Sequence, residues 1–209
     1  MISPPGFSGA VFGDSGDGDP RTDPDARLRF MHELDLSDHW SWANQVHGSD
    51  VLAVDAPGGA GNGDGLLTAT RDLALLVATA DCVPVIIEGE STTAVVHAGW
   101  RGMATGVVAE GVSEMVAAGD RPVRAAIGPS IGPCCYEVGP EVVAVMEPYA
   151  AKTSWGTPSV DLWSAAGGQL GDLEVWRADL CTFTDHRFRS YRRDRTDIRQ
   201  VSIAWLPRD

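Results

Sequence analysis

The sequence lacks a long hydrophobic run and has few basic residues for its length. No stretch approaches the roughly 20 consecutive apolar residues that a membrane-spanning helix requires. Residues 1–10 also lack the basic start and apolar core of a signal peptide, so we expect a cytoplasmic protein with no membrane partner. With 16 Lys and Arg against 29 Asp and Glu, the net charge is −13, which disfavours nucleic-acid polymers as partners. A small anionic substrate is still compatible, because a few arginines can form a local positive pocket.

Cysteine and histidine are both scarce. There are 4 cysteines, at Cys82, Cys134, Cys135 and Cys181, and 5 histidines. In a cytoplasmic chain of this size we expect thiols or metal ligands and not a disulfide framework. A bond between the adjacent Cys134 and Cys135 would be strained. A multicopper oxidase needs many paired histidine ligands, so the small number of histidines disfavours that chemistry.

The length and composition fit one globular domain. Apolar residues make up 44% of the 209 residues, an ordinary share for a folded protein. We therefore predict a single domain over residues 1–209, in which residues 1–27 form a loop-rich N-terminal segment. The acidic run at 13–20 lacks the ordered spacing and the terminal glutamate of a calcium-binding hand, so we expect it to be a loop.

Short apolar runs bounded by turn residues alternate irregularly with helical periodicities. The candidate strands are residues 50–54, 73–79, 83–87, 93–97, 123–127, 175–180 and 201–206. The candidate helices are residues 23–34, with Leu28, Met31 and Leu34 on one face, residues 102–118, residues 141–146 and residues 162–170. Residues 56–65 are expected to form a glycine-rich loop and residues 88–91 a hairpin turn. This irregular alternation predicts an α/β (α+β) protein built on mixed β-sheets.

Three segments place reactive side chains beside glycines at the ends of strand-like runs, where functional sites are common. They contain Gln45 and His47, Asp81 and Cys82, and His97 and Arg101. The two imidazoles and the thiolate suit zinc and leave a fourth position for water. Asp81 is placed to orient a histidine or to cap a strand end. The ligand spacings lack the close pairs of a structural zinc site, so the residues alone also allow hydrogen-bonded histidines and a core cysteine.

Two further segments are candidates for ligand binding. Residues 128–138 contain two Gly-Pro steps, which favour a rigid loop that presents backbone N–H groups to a ligand or simply a structural crossover. Residues 189–199 hold five arginines, which can grip phosphate or carboxylate or can form a solvated turn.

The order of these motifs resembles the YfiH or laccase-domain family. The matching segments are His47-Gly48, Thr79-Ala80-Asp81-Cys82-Val83-Pro84, His97-Ala98-Gly99-Trp100-Arg101-Gly102, residues 128–138 and Ser190-Tyr191-Arg192-Arg193-Asp194. The resemblance implies packed mixed sheets flanked by helices, compared with a cysteine-hydrolase-like fold. It implies that His47, Cys82 and His97 bind the metal, with zinc expected and copper as a substitute. It also implies activity on purine nucleosides and phosphate, with adenosine deamination and methylthioadenosine phosphorolysis as further activities. The sequence does not reveal the oligomeric state, and we expect a monomer.

From the resemblance and the chemistry we assign roles to individual residues. The expected catalytic residues are Asp81, Cys82, His97 and Arg101, and the expected substrate-binding residues are Gln45, Arg101, Cys135, Tyr136 and Arg192. The sequence departs from the family pattern at residues 11–18, which lack the usual arginine. It also departs at Ala166 and at residues 196–200.

Three other functions compete with the phosphorylase. Cys82 could act as a thiolate nucleophile with His97 as its base, giving an amide hydrolase such as one that edits peptidoglycan precursors. The chain could also be a degenerate, non-catalytic protein that retains the metal, or a copper polyphenol oxidase, which the histidine count disfavours.

Overall fold

The structure is a computed structural model that describes residues 1–208. The strands are β1 (Ala10–Phe12), β2 (Trp40–Asn44), β3 (Val51–Ala53), β4 (Gly58–Asn62), β5 (Gly65–Thr68), β6 (Ala74–Thr79), β7 (Val83–Gly89), β8 (Thr93–Ala98), β9 (Pro122–Ile127), β10 (Ala150–Lys152), β11 (Pro158–Val160), β12 (Glu174–Arg177) and β13 (Gln200–Ala204). The α-helices are α1 (Pro24–Leu34), α2 (Trp100–Thr105), α3 (Val107–Ala117), α4 (Pro140–Val145), α5 (Leu162–Gln169) and α6 (Tyr191–Asp194). None of the helices in this described part is long and apolar enough to cross a membrane.

Most strands belong to two mixed sheets. One has five strands in the order β1-β13-β6-β2-β4, and the other has six in the order β12-β9-β7-β8-β5-β3. In the five-stranded sheet β2 runs parallel to both β4 and β6, whereas β13 is antiparallel to β6 and β1. The central pairs β9-β7, β7-β8 and β8-β5 of the six-stranded sheet are antiparallel. β10 and β11 form a small separate ribbon.

The two sheets pack face to face. Leu75 and Val77 of the five-stranded sheet share a buried apolar cluster with Ile86 and Val95 of the six-stranded sheet. Every residue of β6 and of β8 is buried, because helices or the opposite sheet cover both faces. This double coverage explains why these strands are continuous apolar runs without polar alternation.

Helices cover the outer faces of the sheets. Phe30 of α1 meets Trp40 of β2 edge to face on the outer side of the five-stranded sheet, with ring centroids 6.4 Å apart. Val107 and Met115 of α3 pack with Val96 of β8 on the outer side of the other sheet. The prediction of mixed sheets flanked by helices is therefore confirmed.

Several local predictions were wrong. Residues 56–65 are not only a loop, because they contain β4, whose backbone pairs with β2 at the edge of the five-stranded sheet. Strands β2 and β5 were not predicted, and the predicted strand at 175–180 ends at Arg177. The N-terminal segment 1–27 includes β1, which pairs with β13.

Two helices differ from their predictions for identifiable reasons. The predicted helix at 102–118 is interrupted at Gly106, whose φ of 89° is left-handed and separates α2 from α3. In α1 the buried residues are Ala26 and Phe30, whereas Leu28 is 62% exposed. The predicted apolar face of α1 was therefore wrong at Leu28, because the sheet contacts the side of the helix that carries Phe30.

Candidate metal centre and flanking cavities

Three potential metal ligands meet at the junction of the two sheets. His47 lies between β2 and β3, Cys82 lies between β6 and β7, and His97 lies in β8. One ligand atom from each residue lies within 4.8 Å of the others. The segments that carry His47 and Cys82 both lead from the five-stranded sheet to the six-stranded sheet. The structure thus brings together the three residues that the sequence analysis assigned as ligands.

Asp64 holds two of these ligands in place. Its fully buried carboxylate lies 2.7 Å from Nδ1 of His97. It also accepts hydrogen bonds from the backbone N–H groups of Val46, His47 and Gly48, at 3.2, 2.9 and 2.7 Å. A carboxylate partner at Nδ1 leaves Nε2 of His97 for the ligand position and fixes the ring orientation. The sequence pattern allowed this role for Asp81, as one of two alternatives, and gave no indication of Asp64.

The backbone around the ligands is unusual. His47 and Asp81 have φ angles of 61° and 88°, in the left-handed region that side-chain-bearing residues rarely adopt. Gly99 lies against both neighbouring ligands. A Cβ at this position would lie 2.9 Å from Cδ2 of His47 and 3.3 Å from Sγ of Cys82. The site therefore combines local strain with close packing, and Gly99 provides the space in which the two ligands approach each other.

The charges of Cys82 and His97 stabilise each other. Burial alone would raise the pKa of the Cys82 thiol, but the charge of His97 and hydrogen bonds from both histidines lower it to about 6. Burial would likewise lower the pKa of His97, yet the Cys82 thiolate and the Asp64 carboxylate raise it to about 9. Cys82 is therefore a thiolate at neutral pH, the form that binds metals and attacks electrophiles.

The donor set fits a zinc ion. Two imidazoles and one thiolate are borderline or soft ligands, and the carboxylate on His97 is a typical outer partner of a metal-bound histidine. His97 is 3% exposed, whereas the His47 side chain is exposed to solvent. The centre is thus closed on one side and accessible on the other, as a catalytic site with an open coordination position requires. The same donors also suit copper.

Two cavities open onto this centre. The larger has a volume of about 850 Å³, and its lining includes His47, Cys82, Trp42, Asn44 and Tyr191. The smaller has a volume of about 260 Å³, and its lining includes His47, Cys82, Arg101, Tyr136 and Arg192. The ligand cluster therefore lies between an open cavity with aromatic and amide side chains, which also contains Arg21 and Arg199, and a smaller cavity with Arg101, Arg192 and Asp81.

Asp81 faces the smaller cavity and does not orient a histidine. Its Oδ1 accepts a hydrogen bond from the Thr182 hydroxyl and its Oδ2 accepts one from the backbone N–H of Arg192, both at 2.7 Å. Of the two roles predicted for Asp81, the orientation of a histidine is excluded, because Asp64 is the carboxylate that contacts His97. Asp81 instead ties the β6–β7 segment to the beginning of α6.

The arginines of the smaller cavity are held in different ways. The Arg192 guanidinium lies 5.3 Å from the Tyr136 ring centroid and donates to the backbone oxygen of Glu137 at 2.6 Å. The exposed Arg101 lies 4.4 Å from the ring of its neighbour Trp100. Burial, followed by the nearby Cys82 charge, raises the pKa of Tyr136 to about 12, so its hydroxyl keeps its proton.

Two expected substrate-binding residues have other partners. The Gln45 amide forms two hydrogen bonds of 2.8 Å with the backbone of Ala78, so it fixes β6 although the residue lines the larger cavity. Cys135 is 3% exposed and belongs to a separate cluster with Ile131 and Cys181. Within the described residues 1–208, Cys135 does not line either of the two cavities that open onto the metal centre.

Comparisons with known proteins agree with this architecture. The crystal structure of YlmD from Geobacillus stearothermophilus superimposes with a TM-score of 0.84 at 27% identity, covering 98% of this chain and 94% of that one. The crystal structure of the hypothetical protein YfiH from Bacillus licheniformis gives a TM-score of 0.80 at 28% identity, covering 90% and 82%. The fold is therefore that of the YfiH-like proteins.

Sequence relatives extend the comparison. A purine nucleoside phosphorylase of Streptomyces coelicolor is 43% identical over 179 residues, which cover 79% of this chain and 74% of the relative. A second, of Streptomyces griseus, is 39% identical over 222 residues, covering 96% and 90%. A family model described as multi-copper polyphenol oxidoreductase laccase matches residues 2–207. The chain therefore belongs to this laccase-domain family, which includes the YfiH proteins.

Proposed function

We propose that this protein is a zinc-dependent purine nucleoside phosphorylase. The observation that carries the proposal is the His47, Cys82 and His97 cluster, which lies between two cavities of different size. The Streptomyces relatives, which are named purine nucleoside phosphorylases, support the same activity. Adenosine deamination and methylthioadenosine phosphorolysis are proposed as further activities of this site.

The two cavities suit the two substrates. Arg101 and Arg192 give the smaller cavity the positive charge that phosphate requires, and a guanidinium can bind phosphate through two parallel hydrogen bonds. Trp42, Asn44 and Tyr191 offer aromatic surfaces and an amide for a purine nucleoside in the larger cavity. The centre where both cavities meet is then the position at which a phosphate oxygen approaches C1′ of the ribose.

Phosphorolysis needs charge stabilisation and positioning from this chain. The glycosidic C–N bond breaks, a C–O bond forms between C1′ and phosphate, and the proton that the attacking phosphate releases ends on the purine nitrogen. Zinc, when bound, would supply a Lewis acid that stabilises developing negative charge. The arginines orient phosphate, and Asp64 holds the His97 ring. Asp81 acts as a positioning residue, because its carboxylate fixes the backbone of Arg192.

A direct assay tests this function. Zinc-loaded protein is incubated with inosine, guanosine, adenosine or methylthioadenosine, with and without phosphate, and the base and sugar products are separated by chromatography. We expect free base and sugar 1-phosphate only when phosphate is present, and ammonia from adenosine if deamination also occurs. No product from any nucleoside, with zinc bound at one equivalent, would reject the phosphorylase and leave a non-catalytic metal-binding protein or the amide hydrolase described below.

Substitution of the two arginines tests the phosphate position. In Arg101→Met and Arg192→Met we expect the KM for phosphate to rise about tenfold or more, because a hydrogen bond to a charged group contributes about 1.5–3 kcal/mol. The KM for nucleoside should change much less. Arg121→Met is the matched control. Arg121 is exposed beside the β7–β8 hairpin, and its ion pair with Glu90 is a solvent-exposed contact of 3.5 Å. An unchanged KM for phosphate in both variants would place phosphate elsewhere.

The Cys82, His97 and Asp64 arrangement also favours a second candidate, an amide hydrolase. A thiolate, a histidine and a carboxylate that orients the histidine are the three components of a nucleophilic triad. A zinc-bound thiolate is a poor free nucleophile, so the two functions compete for one sulfur. Alkylation of Cys82 separates them: we expect zinc to protect Cys82, and equal reactivity with and without zinc would favour the hydrolase.

A further inference from the structure

Three cysteines that the proposed reaction does not use lie together behind the smaller cavity. Cys134 and Cys135 lie in the segment between β9 and α4, and Cys181 follows β12. Their Sγ atoms all lie within 4.8 Å of one another, and those of Cys134 and Cys135 are 3.0 Å apart. Cys135 and Cys181 are 3% and 8% exposed, whereas Cys134 is partly accessible. The sequence separates Cys181 from the other two by more than 40 positions, so the fold creates this group.

Backbone hydrogen bonds hold Cys181 beside the segment that carries Cys134 and Cys135. Ser130 pairs with the Cys181 segment, because its N–H donates to Leu180 O at 3.2 Å and its carbonyl accepts from the N–H of Thr182 at 3.0 Å. The N–H of Gly132 points at Sγ of Cys181 at 3.2 Å. A backbone donor on the sulfur favours the thiolate form that binds metals. The Cys181 sulfur is therefore held in position beside the segment that carries the other two cysteines.

The donors and their surroundings select a soft ion. The cluster has three sulfurs and packs against the apolar side chains of Ile131, Trp163 and Phe183. Among residues 1–208, the group contains no histidine or carboxylate that could supply a fourth ligand. Zinc normally takes four ligands, whereas Cu(I) is soft, prefers sulfur and is satisfied by three. Exclusion of water from the apolar side also favours an ion that needs no water ligand.

The distances fit after a small adjustment. Metal–sulfur bonds of about 2.3 Å place three sulfurs about 4 Å apart in a trigonal arrangement. The upper limit of 4.8 Å is within reach of this value, and the Cys134–Cys135 pair must open from 3.0 Å by about 1 Å. Cys134 can make this movement, because it is the partly accessible member of the cluster.

We propose that Cys134, Cys135 and Cys181 form a second metal site, which binds one Cu(I) ion. The site is separate from the His47 centre and does not depend on the proposed phosphorylase activity. It adjoins the smaller cavity, because Ile131 packs in the cluster and Tyr136 follows Cys135, and both residues line that cavity. Binding of Cu(I) would therefore stiffen one wall of the cavity.

Titration with Cu(I) tests the site. Reduced, metal-free protein receives one equivalent of zinc and is then titrated with Cu(I) under argon against the chelator bicinchoninate. We expect one equivalent of Cu(I) to be retained, with three sulfur neighbours in its X-ray absorption spectrum. Cys181→Ser should lose this equivalent, and Cys134→Ser should bind it at least about tenfold more weakly. Cys82→Ser is the matched control, because it removes a thiol from the other centre and should keep the Cu(I) affinity.

Each alternative result is distinguishable. Native affinity in both Cys181→Ser and Cys134→Ser, or nitrogen neighbours around Cu(I) in the native protein, would overturn the proposal. A disulfide within the cluster after purification in excess reductant, seen as a mass loss of two hydrogens, would overturn it as well. If circular dichroism shows that Cys181→Ser does not fold, Cys134→Ser decides, since its side chain is partly accessible and its replacement leaves the buried pair intact.

Discussion

Asp64 links the metal ligands to the backbone around them. Its buried carboxylate contacts His97 and accepts from three consecutive N–H groups that include His47. These hydrogen bonds outweigh the effect of burial and keep the pKa of Asp64 below its usual value. A single side chain thus orients one ligand and supports the left-handed backbone of another.

Asp64→Asn should weaken zinc binding about 10–100-fold, the usual cost of losing a carboxylate partner of a metal-bound histidine. An amide keeps the shape but loses the charge that favours the bound His97 ring. Zinc affinity is measured by competition with a chromogenic chelator. Asp50→Asn is the control, because the Asp50 side chain is exposed nearby. Equal zinc affinity of Asp64→Asn and the native protein would show that Asp64 does not contribute to zinc binding.

Asp120 stabilises the hairpin between β7 and β8 in a pH-dependent way. Its carboxylate accepts from the backbone of Ser91 and from the backbone and hydroxyl of Thr92, at 2.8 and 2.6 Å for Thr92. Burial would raise the pKa of Asp120, but the Thr92 hydroxyl and nearby backbone N–H groups lower it. A carboxyl whose pKa is lower in the folded state contributes stability above its unfolded pKa of about 3.9, and this contribution disappears as pH falls through the folded value.

We therefore expect Asp120→Asn to be less stable than the native protein at pH 7, with a difference that shrinks below pH 4. Urea unfolding followed by circular dichroism at several pH values measures this change. Glu90→Gln, on the same hairpin, should change little at any pH, because its ion pair with Arg121 is exposed. A pH-independent difference in Asp120→Asn would mean that packing, not charge, is responsible.

The sequence predicted the three candidate ligands that the fold brings together but not the carboxylate beside them. His47, Cys82 and His97 stand in motifs whose order is informative. Asp64 follows a glycine-rich segment and reaches partners 16 to 33 positions away, so local patterns carry no sign of its role. Asp81 stands beside a ligand in sequence, yet its left-handed backbone turns its carboxylate toward Thr182. Asp81 is therefore next to a ligand in the sequence, but its carboxylate forms its hydrogen bonds elsewhere, because the backbone turns at this residue.

At the scale of elements, apolar content predicted the long buried strands and missed shorter strands. The missed strands include the edge strand β4 and the interior strands β2 and β5, whereas the edge strands β3 and β12 overlap predicted strands. β6, β7 and β8 are continuous apolar runs, so their positions were clear. β4 consists of Gly, Ala and Asn and is held by backbone hydrogen bonds to β2, which side-chain patterns do not reveal. The break between α2 and α3 depends on one glycine conformation within an otherwise helical periodicity.

Gly106→Ala should destabilise the protein by about 1–2 kcal/mol, the cost of a left-handed conformation for a residue with a Cβ. The φ of Gly106 is 89°, and a Cβ there would meet nothing within 4 Å, so the cost is conformational and not steric. Gly167→Ala in α5 is the control, since it also has open space but a negative φ, and it should be neutral or stabilising. Urea unfolding compares them, and equal stability of the two variants would contradict this reading.

On the scale of the whole molecule, the candidate metal centre lies where the two sheets join. His47 and Cys82 lie in two separate crossings from the five-stranded to the six-stranded sheet, and His97 comes from the centre of the latter. A ligand that binds only the folded state stabilises it by about 2.7 kcal/mol at a free concentration 100 times its Kd. An ion at this junction would stabilise the packing of the two sheets against each other, so its removal would lower the stability of the whole fold.

Zinc at 100 times its Kd should therefore raise the Tm of the metal-free protein by about 5–10 °C, because 1 kcal/mol corresponds to about 2–4 °C at this chain length. Calorimetry in a chelator-treated buffer, with and without zinc, measures the shift, and we expect one transition in both conditions, since the sheets share a core. His47→Ala is the matched control: its side chain is exposed, so the variant should fold, but its Tm should respond weakly to zinc. A zinc response of equal size in His47→Ala would mean that the ion acts at another site. Two separate transitions in the metal-free protein would mean that the sheets unfold independently and that the metal alone couples them.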